Sequence, residues 1–359
     1  MVDNMTKINK RIIIVRSTVN GLSAMSQKSC DAILASLSRS YQNVSVSILN
    51  TPSDLEDLLL HRPDLVFIGM KYVPNDLALD PKNAKNIWIA DFLDSQGIPY
   101  TGSDRLANEL ERDKALAKQR VIDSKLKTAP FFVVKRGQTL SRERVTVNYP
   151  LFVKPTDRGG GMGIDTDSVV HNFDQLKSKV GKISTRYMSD SLVEEYLTGR
   201  EFSVAILKDE LSESYIPMPL EKIPPIDKNG DRLLSGVIKA ADSVTDAEVV
   251  DMVLKKKIIK LALEVFYALG GRDYGRIDIR LDDLGEPHFL EANFIPSLIK
   301  GYGSFPKACL LNMDLDHEEM LLRIVQLAFE RSATGENNIP DEKTIAEKDS
   351  IMSSTLSAV

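Results

Sequence analysis

The chain has 359 residues, 43% of them hydrophobic and 27% charged, which excludes a disordered protein and suggests two or three domains. Its formal charge of -5 predicts no general nucleic-acid binding, so any anionic ligand must be held by local Lys and Arg side chains. Two cysteines and four scattered histidines exclude a disulfide framework and a zinc motif, and they favour a reducing cytoplasm. The first fifteen residues contain no long apolar core before a cleavage site, and nowhere do eighteen apolar residues run together, so we expect neither secretion nor membrane insertion.

The N-terminal third alternates apolar strands with helices, which is typical of a doubly wound α/β domain. "KRIIIVRS" predicts a buried parallel strand, followed by a helix over residues 26–37. "VSVSILN", "PDLVFIG" and "IPYTGS" predict further strands, and a helix over 83–95 is stopped by Gly97. We therefore predict a Rossmann-like domain over residues 8–110.

The rest of the chain predicts two smaller α+β units. A helix over residues 104–124 precedes β runs at "FFVVKR", "YPLFVKP" and "SLVEEY". Beyond them come "EFSVAIL", a hairpin, and amphipathic helices over 246–269 and 316–331. The final residues are polar and lack periodicity. These features predict three further parts: a central subdomain (111–197), a C-terminal subdomain (198–331) and a flexible tail (332–359).

A glycine-rich loop follows one of the central strands. "YPLFVKPTDRGGGMGID" places Lys154 at the end of an apolar run, before Gly159, Gly160, Gly161 and Gly163. Consecutive glycines let backbone N–H groups approach an anion, and a nearby lysine supplies charge. The spacing matches neither a P-loop nor G-x-G-x-x-G. The loop is therefore either a different phosphate-binding device or a flexible turn without a ligand.

The segment "LVEEYLTGREFSVAIL" predicts two strands separated by Thr198-Gly199. An extended link of this kind can offer a backbone acceptor and a backbone donor to an adenine ring, and Glu201 can bind ribose hydroxyls. An ordinary hairpin with solvated glutamates explains the same pattern.

The segment "YGRIDIRLDDLGEPHFLEANFIP" predicts a β-hairpin around a turn of four residues, 282–285. The residue numbers of any two opposed positions then add up to the same value, which places Arg276 opposite Glu291 and Asp278 opposite Phe289. Side-chain alternation sorts the residues into two faces. The core face is expected to carry Ile277, Ile279, Leu281, Leu290 and Ala292, and the other face Arg276, Asp278, Arg280, Glu291 and Asn293.

The polar face of this hairpin has two explanations. An antiparallel hairpin commonly leaves one face in water, and that face is usually charged. Alternatively, the face binds magnesium, because diagonal neighbours such as Asp278 and Glu291 lie about 7 Å apart and hard cations prefer oxygen ligands. Asn293 would add a neutral oxygen to that site.

Taken in order, these motifs resemble the ATP-grasp superfamily, and more closely the D-alanine:D-alanine ligases. The resemblance runs from residue 98 to about residue 330. It implies an α/β fold in which an N-terminal pre-ATP-grasp domain precedes a lid subdomain and a catalytic subdomain that clasp ATP. It also implies two Mg²⁺ ions, with Mn²⁺ as a substitute, and a homodimer.

The resemblance further implies a role for each matching residue. ATP would be bound by Lys114, Lys154, Gly159, Gly160, Gly161, Glu194, Glu195, Tyr196, Leu197 and Glu201. The metal ligands would be Asp278, Glu291 and Asn293. The catalytic set would be Arg276 for the tetrahedral intermediate, Lys239 for the γ-phosphate and Ser304 for the carboxylate of the amine substrate.

The chemistry that this family implies is amide formation through an acylphosphate, with release of ADP and phosphate and without a covalent enzyme intermediate. The chain departs from the family where the first substrate binds. The loop "RSTVNGLSAMS" lacks the expected glutamate, "IGMKYVPNDLALDPKN" replaces Gly-Glu-Asp-Gly, and Gly160 and Gly161 replace two serines. We therefore expect a ligase that joins small carboxylates and amines, with amino acids as the expected substrates, and whose two substrates are not both D-alanine.

Three alternatives stay open at this point. The chain is a genuine D-alanine:D-alanine ligase with a diverged loop, a nucleotide-binding module without catalysis, or a carboxylase-like enzyme that uses bicarbonate. The complete phosphate and metal set argues against the module, because buried charges without a function are costly to keep.

Overall fold

The structure, a computed structural model, describes residues 6–19, 21–76, 85–227, 230–241 and 243–334, without the side chains of residues 239 and 240. β1 lies at the centre of a parallel sheet with the order β2-β1-β3, and β4 pairs with β5. In chain order the N-terminal elements are β1 (Ile8–Arg16), α1 (Gln27–Ser40), β2 (Tyr41–Ile48), α2 (Pro52–Leu60), β3 (Leu65–Ile68), β4 (Tyr72–Pro74), β5 (Asn86–Trp88) and α3 (Ile89–Ser95).

The central strand β1 is covered by helices on both faces. Ile12 and Ile14 belong to the same buried cluster as residues of α1, whereas Ile13 and Val15 pack with residues of α2 and α3. This alternation explains why "IIIV" is a continuous apolar run, since both faces of a covered parallel strand are buried. The predicted α/β fold of this part is confirmed.

Two predictions in this part are wrong in detail. "IPYTGS" is not a strand: Tyr100 makes an isolated bridge to Val66, and Gly102 turns the chain with a φ of 83°. The helix predicted over 83–95 begins at Ile89, because residues 86–88 form β5. Residues 83 and 84 lie outside the described residues.

The central part forms an antiparallel four-stranded sheet with the order β6-β9-β7-β8, covered by one helix. The helix predicted over 104–124 is divided in two at Asp113, whose carboxylate accepts bonds from the N–H groups of Ala115 and Leu116 and caps the second helix. The elements are α4 (Arg105–Arg112), α5 (Lys114–Asp123), β6 (Phe131–Val134), β7 (Leu151–Pro155), β8 (Val169–Val170), α6 (Phe173–Arg186) and β9 (Ser191–Glu195).

The C-terminal part is built on an antiparallel five-stranded sheet with the order β12-β11-β10-β13-β14. The helix predicted over 246–269 begins only at Met252, where Asp251 caps it, and Asp246 instead lies in a strand. The elements are β10 (Glu201–Lys208), β11 (Tyr215–Ile223), α7 (Gly236–Ala240), β12 (Thr245–Glu248), α8 (Met252–Ala268), β13 (Tyr274–Leu281), β14 (Pro287–Asn293), α9 (Ser304–Met313) and α10 (His317–Thr334).

The register predicted for the β13–β14 hairpin is wrong. The turn contains five residues, because Leu281 pairs with Pro287, and the register shifts again by one residue beyond Phe289. Asp278 therefore lies directly opposite Glu291, not opposite Phe289. Phe289 is fully buried, and Leu290, which we expected in the core, is the bulged residue and lines a cleft.

The end of the described chain lies close to the predicted start of the tail. Helix α10 continues to Thr334, three residues into the predicted tail, and residues 335–359 lie outside the described part. None of the described helices is both long and apolar enough to span a bilayer. The predicted domain boundaries at 110, 197 and 331 stay predictions.

Candidate active site

A cleft of about 870 Å³ is lined by residues of the four-stranded sheet, the five-stranded sheet and two loops of the N-terminal part. Most of the residues singled out from the sequence line it. Gly161 is not one of the lining residues but packs against Gly236, which is. Lys239 is in α7, and its side chain lies outside the described residues. The predicted residues that line the cleft are Lys114, Lys154, Gly159, Gly160, Glu194, Glu195, Tyr196, Leu197, Glu201, Arg276, Asp278, Glu291, Asn293 and Ser304.

The acidic oxygens of the β13–β14 hairpin converge on one wall of the cleft. Asp278 is 6% exposed and faces Glu291 directly across the strand pair. Arg276 donates to both Asp278 oxygens at 2.9 and 2.8 Å, Ser203 donates to Oδ1 at 2.7 Å, and the Asn293 amide donates to Oδ2 at 3.2 Å. This carboxylate is therefore fixed in position before any ligand binds.

The donor types on this wall fit a hard divalent cation. Asp278 and Glu291 supply carboxylate oxygens and Asn293 an amide oxygen, which are the ligands that Mg²⁺ prefers. Among the described residues, no group of three or more His, Cys, Asp or Glu side chains is arranged to hold a metal. Asp278, Glu291 and Asn293 do not form such a group, because Asn293 is an amide and is none of these four residue types.

Two buried lysines face the hairpin from α5 and β7. Lys114 is the first residue of α5, where its Nζ donates to the Arg158 carbonyl at 2.6 Å and lies 3.9 Å from Glu291 Oε2. Lys154, at the end of β7, is 4% exposed. Burial lowers the pKa of Lys114, with Glu291 acting in the opposite direction. Two lysine ammonium groups and the carboxylate oxygens of the hairpin thus meet in one place.

The Glu194 carboxylate lies between the ammonium groups of two lysines. Its Oε1 lies 2.7 Å from Lys154 Nζ and its Oε2 lies 2.7 Å from Lys118 Nζ. Burial raises the pKa of Glu194, but the two lysines outweigh burial, and that pKa is lowered. Lys118 was missed by the sequence reasoning, because a lysine one turn after Lys114 looks like an ordinary exposed helix residue.

An aromatic and charged pocket closes the end of the cleft next to β10. The Tyr196 ring stacks on Phe152 with centroids 6.1 Å apart. Arg280 donates to Glu201 Oε2 at 3.3 Å and to the Tyr196 hydroxyl at 3.2 Å. Arg280 thereby links Glu201 to the stacked pair of aromatic rings.

The glycine loop packs against the start of α7. Gly160 and Gly161 have φ values of 65° and 80°, which disfavour other residues. A Cβ on Gly161 would lie 2.7 Å from the backbone nitrogen of Gly236. The loop therefore touches the C-terminal part through glycine backbone on both sides.

A second charged cluster lines the cleft at the start of α9. Lys222 on β11 lies 3.1 Å from Ser304 Oγ and forms an ion pair with Asp246 on β12. Lys307 lies 2.9 Å from the other oxygen of Asp246. Of these residues only Ser304 was predicted. The others come from three separate elements, and nothing in the local sequence marks them.

The N-terminal wall of the cleft is formed by residues 21–24 and by Lys71, Tyr72, Glu111 and Arg112. Both oxygens of Glu111 are engaged: Oε1 lies 2.7 Å from Lys71 Nζ, and Oε2 accepts the Phe294 N–H at 2.9 Å. The loop over 16–26 contains no acidic residue. This wall therefore presents the cationic side chains of Lys71 and Arg112, neutral groups and a carboxylate that is already paired.

A nucleotide-sized cleft between two α+β units and a Rossmann-like domain defines an ATP-grasp ligase-like protein, and the comparisons agree. The family model described as "D-ala D-ala ligase C-terminus" matches residues 122–326. The chain belongs to this family.

Known proteins match nearly the whole chain. The D-alanine--D-alanine ligase of Pelobacter propionicus is 29% identical over 341 residues, 92% of this chain and all of that relative. A ligase of the same name from Hydrogenovibrio crunogenus is 29% identical over 269 residues, 74% of this chain and 80% of the relative. The crystal structure of the Bacillus anthracis D-alanine--D-alanine ligase with ATP has a TM-score of 0.71 at 20% identity, covering 91% of this chain and 99% of that chain.

These findings confirm the predicted family, the ATP-grasp fold class and the prediction of an ATP-dependent ligase that forms carbon–nitrogen bonds. The roles of the individual residues stay predictions.

Proposed function

We propose that the chain joins a small carboxylate, an amino acid or a related acid, to the amine of an amino acid at the expense of ATP. The acid would attack the γ-phosphate to give an acylphosphate and ADP, and the amine would then displace phosphate. The observation that carries this proposal is the 3.9 Å approach of Lys114 to Glu291. It brings the lysines that we propose to bind phosphate and the hairpin that we propose to bind metal to the same point of the cleft.

The roles of the chain's residues follow from their positions. Lys114 and Lys154 would offset charge on the phosphates, and the glycine loop would cover them and exclude water, which otherwise hydrolyses an acylphosphate. Asp278, Glu291 and Asn293 would hold two Mg²⁺ ions, which offset phosphate charge and polarise the phosphoryl group when bound. Arg276, anchored on Asp278, would face the developing charge of the tetrahedral intermediate.

The two remaining walls would receive the substrates. The charge of Glu111 acts on Arg276, and the charge of Lys71 acts on Lys114. The N-terminal wall therefore adjoins the place where we propose that the phosphoryl group is transferred, and it would receive the attacking acid. Ser304, Lys222 and Lys307 would hold the carboxylate of the amine substrate. The amino group of D-alanine would need a carboxylate partner on this wall, and both oxygens of Glu111 are already engaged. We therefore propose that the acid is not D-alanine.

A genuine D-alanine:D-alanine ligase is the second candidate, since relatives with that name match the chain over 92% of its length. The two candidates are separated by ADP release, screened over pairs of amino acids and small carboxylates with and without Mg²⁺. Turnover with D-alanine alone would establish the second candidate. Turnover only with a mixed pair would establish the first, and binding of ATP without turnover in any pair would indicate a regulatory module.

We also propose a homodimer in the cytoplasm with no nucleic-acid or membrane partner. The family resemblance, the acidic net charge and two buried cysteine thiols support this proposal. Light scattering coupled to gel filtration measures the oligomeric state directly, and a monomer at working concentration would contradict it.

A further inference from the structure

Lys118 is a fully buried lysine that does not line the cleft. Its side chain is 0% exposed, and its Nζ contacts two oxygens, Glu194 Oε2 at 2.7 Å and Thr128 Oγ1 at 2.6 Å. Thr128 Oγ1 donates its own hydrogen to the Phe289 carbonyl at 2.8 Å, so Lys118 is the donor to that hydroxyl. Lys118 therefore connects β9 to the strand that carries Glu291.

The ion pairs at Glu194 join three charges into one array. Lys118 and Lys154 each bind a different oxygen of this carboxylate, and Glu194 is 2% exposed. The array carries a net charge of one positive unit. Without Lys118, the Glu194 charge would be balanced by Lys154 alone, and this part of the cleft wall would be neutral.

The strength of such an effect depends on burial. Inside a protein, charges are screened far less than in water, so one unit of charge next to a phosphate changes its binding free energy substantially. Burial lowers the pKa of Lys154, but Glu194 and Glu291 outweigh burial, and that pKa is raised. Lys154 is thus charged at neutral pH, and Glu194 is the main group that competes with a phosphate for it.

We propose that Lys118 is a positioning residue for nucleotide binding: it balances the charge of Glu194, so that Lys154 keeps a net positive charge for the ATP phosphates. This inference rests on the ATP-binding function proposed above. Lys118 acts through Glu194 and Lys154 and touches no nucleotide itself.

The test measures ADP binding by isothermal titration calorimetry at fixed Mg²⁺, with the fold checked by circular dichroism. Lys118→Met is expected to weaken ADP binding about tenfold, because Glu194 then neutralises Lys154. The double variant Lys118→Met/Glu194→Gln restores the net charge of the array and keeps the backbone groups of residue 194, through which the adenine contact is predicted. We expect it to recover affinity to within about threefold of the wild type.

Lys179→Met is the matched control. Lys179 is also buried, at 2% exposure, and is paired with Asp165 at 2.7 Å, but it does not line the cleft or contact a cleft residue through that pair. A purely structural role for Lys118 predicts equal losses in the single and double variants, so absence of recovery would overturn the proposal, as would unchanged affinity in Lys118→Met.

Two further outcomes are informative. If Lys118→Met does not fold, the ADP affinity of the double variant tests the proposal. The double variant also replaces the Glu194 carboxylate, which the single variant leaves without its second lysine partner. A folded double variant with affinity near wild type supports the proposal, and loss of binding overturns it. If the wild type binds no ADP, the proposed function fails, and the role of Lys118 fails with it.

Discussion

Asp278 and Glu291 face each other directly across the β13–β14 hairpin, with the bulged residue Leu290 next to Glu291. Asp278 is fixed by Arg276 and Ser203, whereas Glu291 is more exposed and approaches Lys114. Two carboxylates opposed in this way repel each other unless a cation lies between or beside them. Arg276 and Lys114 offset part of this repulsion, and we propose that a divalent ion offsets the rest when it binds.

Glu291→Gln is expected to lower kcat by about two to three orders of magnitude, because it removes a charged metal ligand while keeping the side-chain shape. Phosphate release at saturating ATP and Mg²⁺ measures the effect. Glu286→Gln is the control, since Glu286 lies in the turn of the same hairpin and binds the surface residues Lys127 and Lys257. Wild-type rates in the Glu291 variant would remove it from the metal site.

The sequence predicts the overall architecture and the order of the site motifs, because both depend on local patterns. The "IIIV" run of β1, the glycine loop after Lys154 and the alternation of β13 are each visible within one segment. The residue opposite Glu291 cannot be found from one segment in this way, because the five-residue turn and the bulge at Leu290 each shift the register by one residue.

The residues missed in the site have a different physical origin. Lys222, Asp246 and Lys307 meet only in the folded chain, and Asp246 was expected in a helix. Lys118 has the spacing of an exposed helical lysine relative to Lys114, and its burial depends on the packing of α5 against β9 and β14. Such clusters depend on tertiary contacts, which a single sequence does not reveal.

Gly161→Ala is expected to lower kcat about tenfold. Gly161 has a φ of 80°, and a Cβ would lie 2.7 Å from the Gly236 nitrogen, so the loop can no longer pack closely on the C-terminal part. Water then reaches the acylphosphate, and more phosphate should be released per amide formed. Comparing phosphate release with amide formation tests this.

Gly181→Ala provides the matched control for the loop. Gly181 lies within α6 of the same subdomain, and a Cβ there would have no heavy atom within 4 Å. Equal coupling of phosphate release to amide formation in Gly161→Ala and Gly181→Ala would show that close packing of the loop is not required.

Lys307→Met is expected to raise KM for the amine substrate about tenfold and leave KM for ATP unchanged. The variant removes one of the two cations around Asp246 and makes this cluster neutral, so a substrate carboxylate beside Ser304 loses its attraction. Initial rates over both substrate concentrations separate the two KM values. Lys300→Met, an exposed lysine outside the cleft, is the control, and an equal rise in both variants would exclude a local effect.

Glu194→Gln should destabilise the protein by about 3–5 kcal/mol at neutral pH, because it leaves Lys118 and Lys154 buried without their shared carboxylate. The folded-state pKa of Glu194 is lowered from its ordinary value of 4.5. Its stabilising contribution is therefore fully present above pH 4.5 and is lost as pH falls through the lowered value. Urea unfolding at neutral and acidic pH measures the free energy of unfolding, and the difference between wild type and Glu194→Gln should shrink in acid. The control is Glu195→Gln, at the more exposed neighbour, whose free energy of unfolding should differ little from that of the wild type. A difference that grows in acid would contradict an ionised Glu194 between the two lysines.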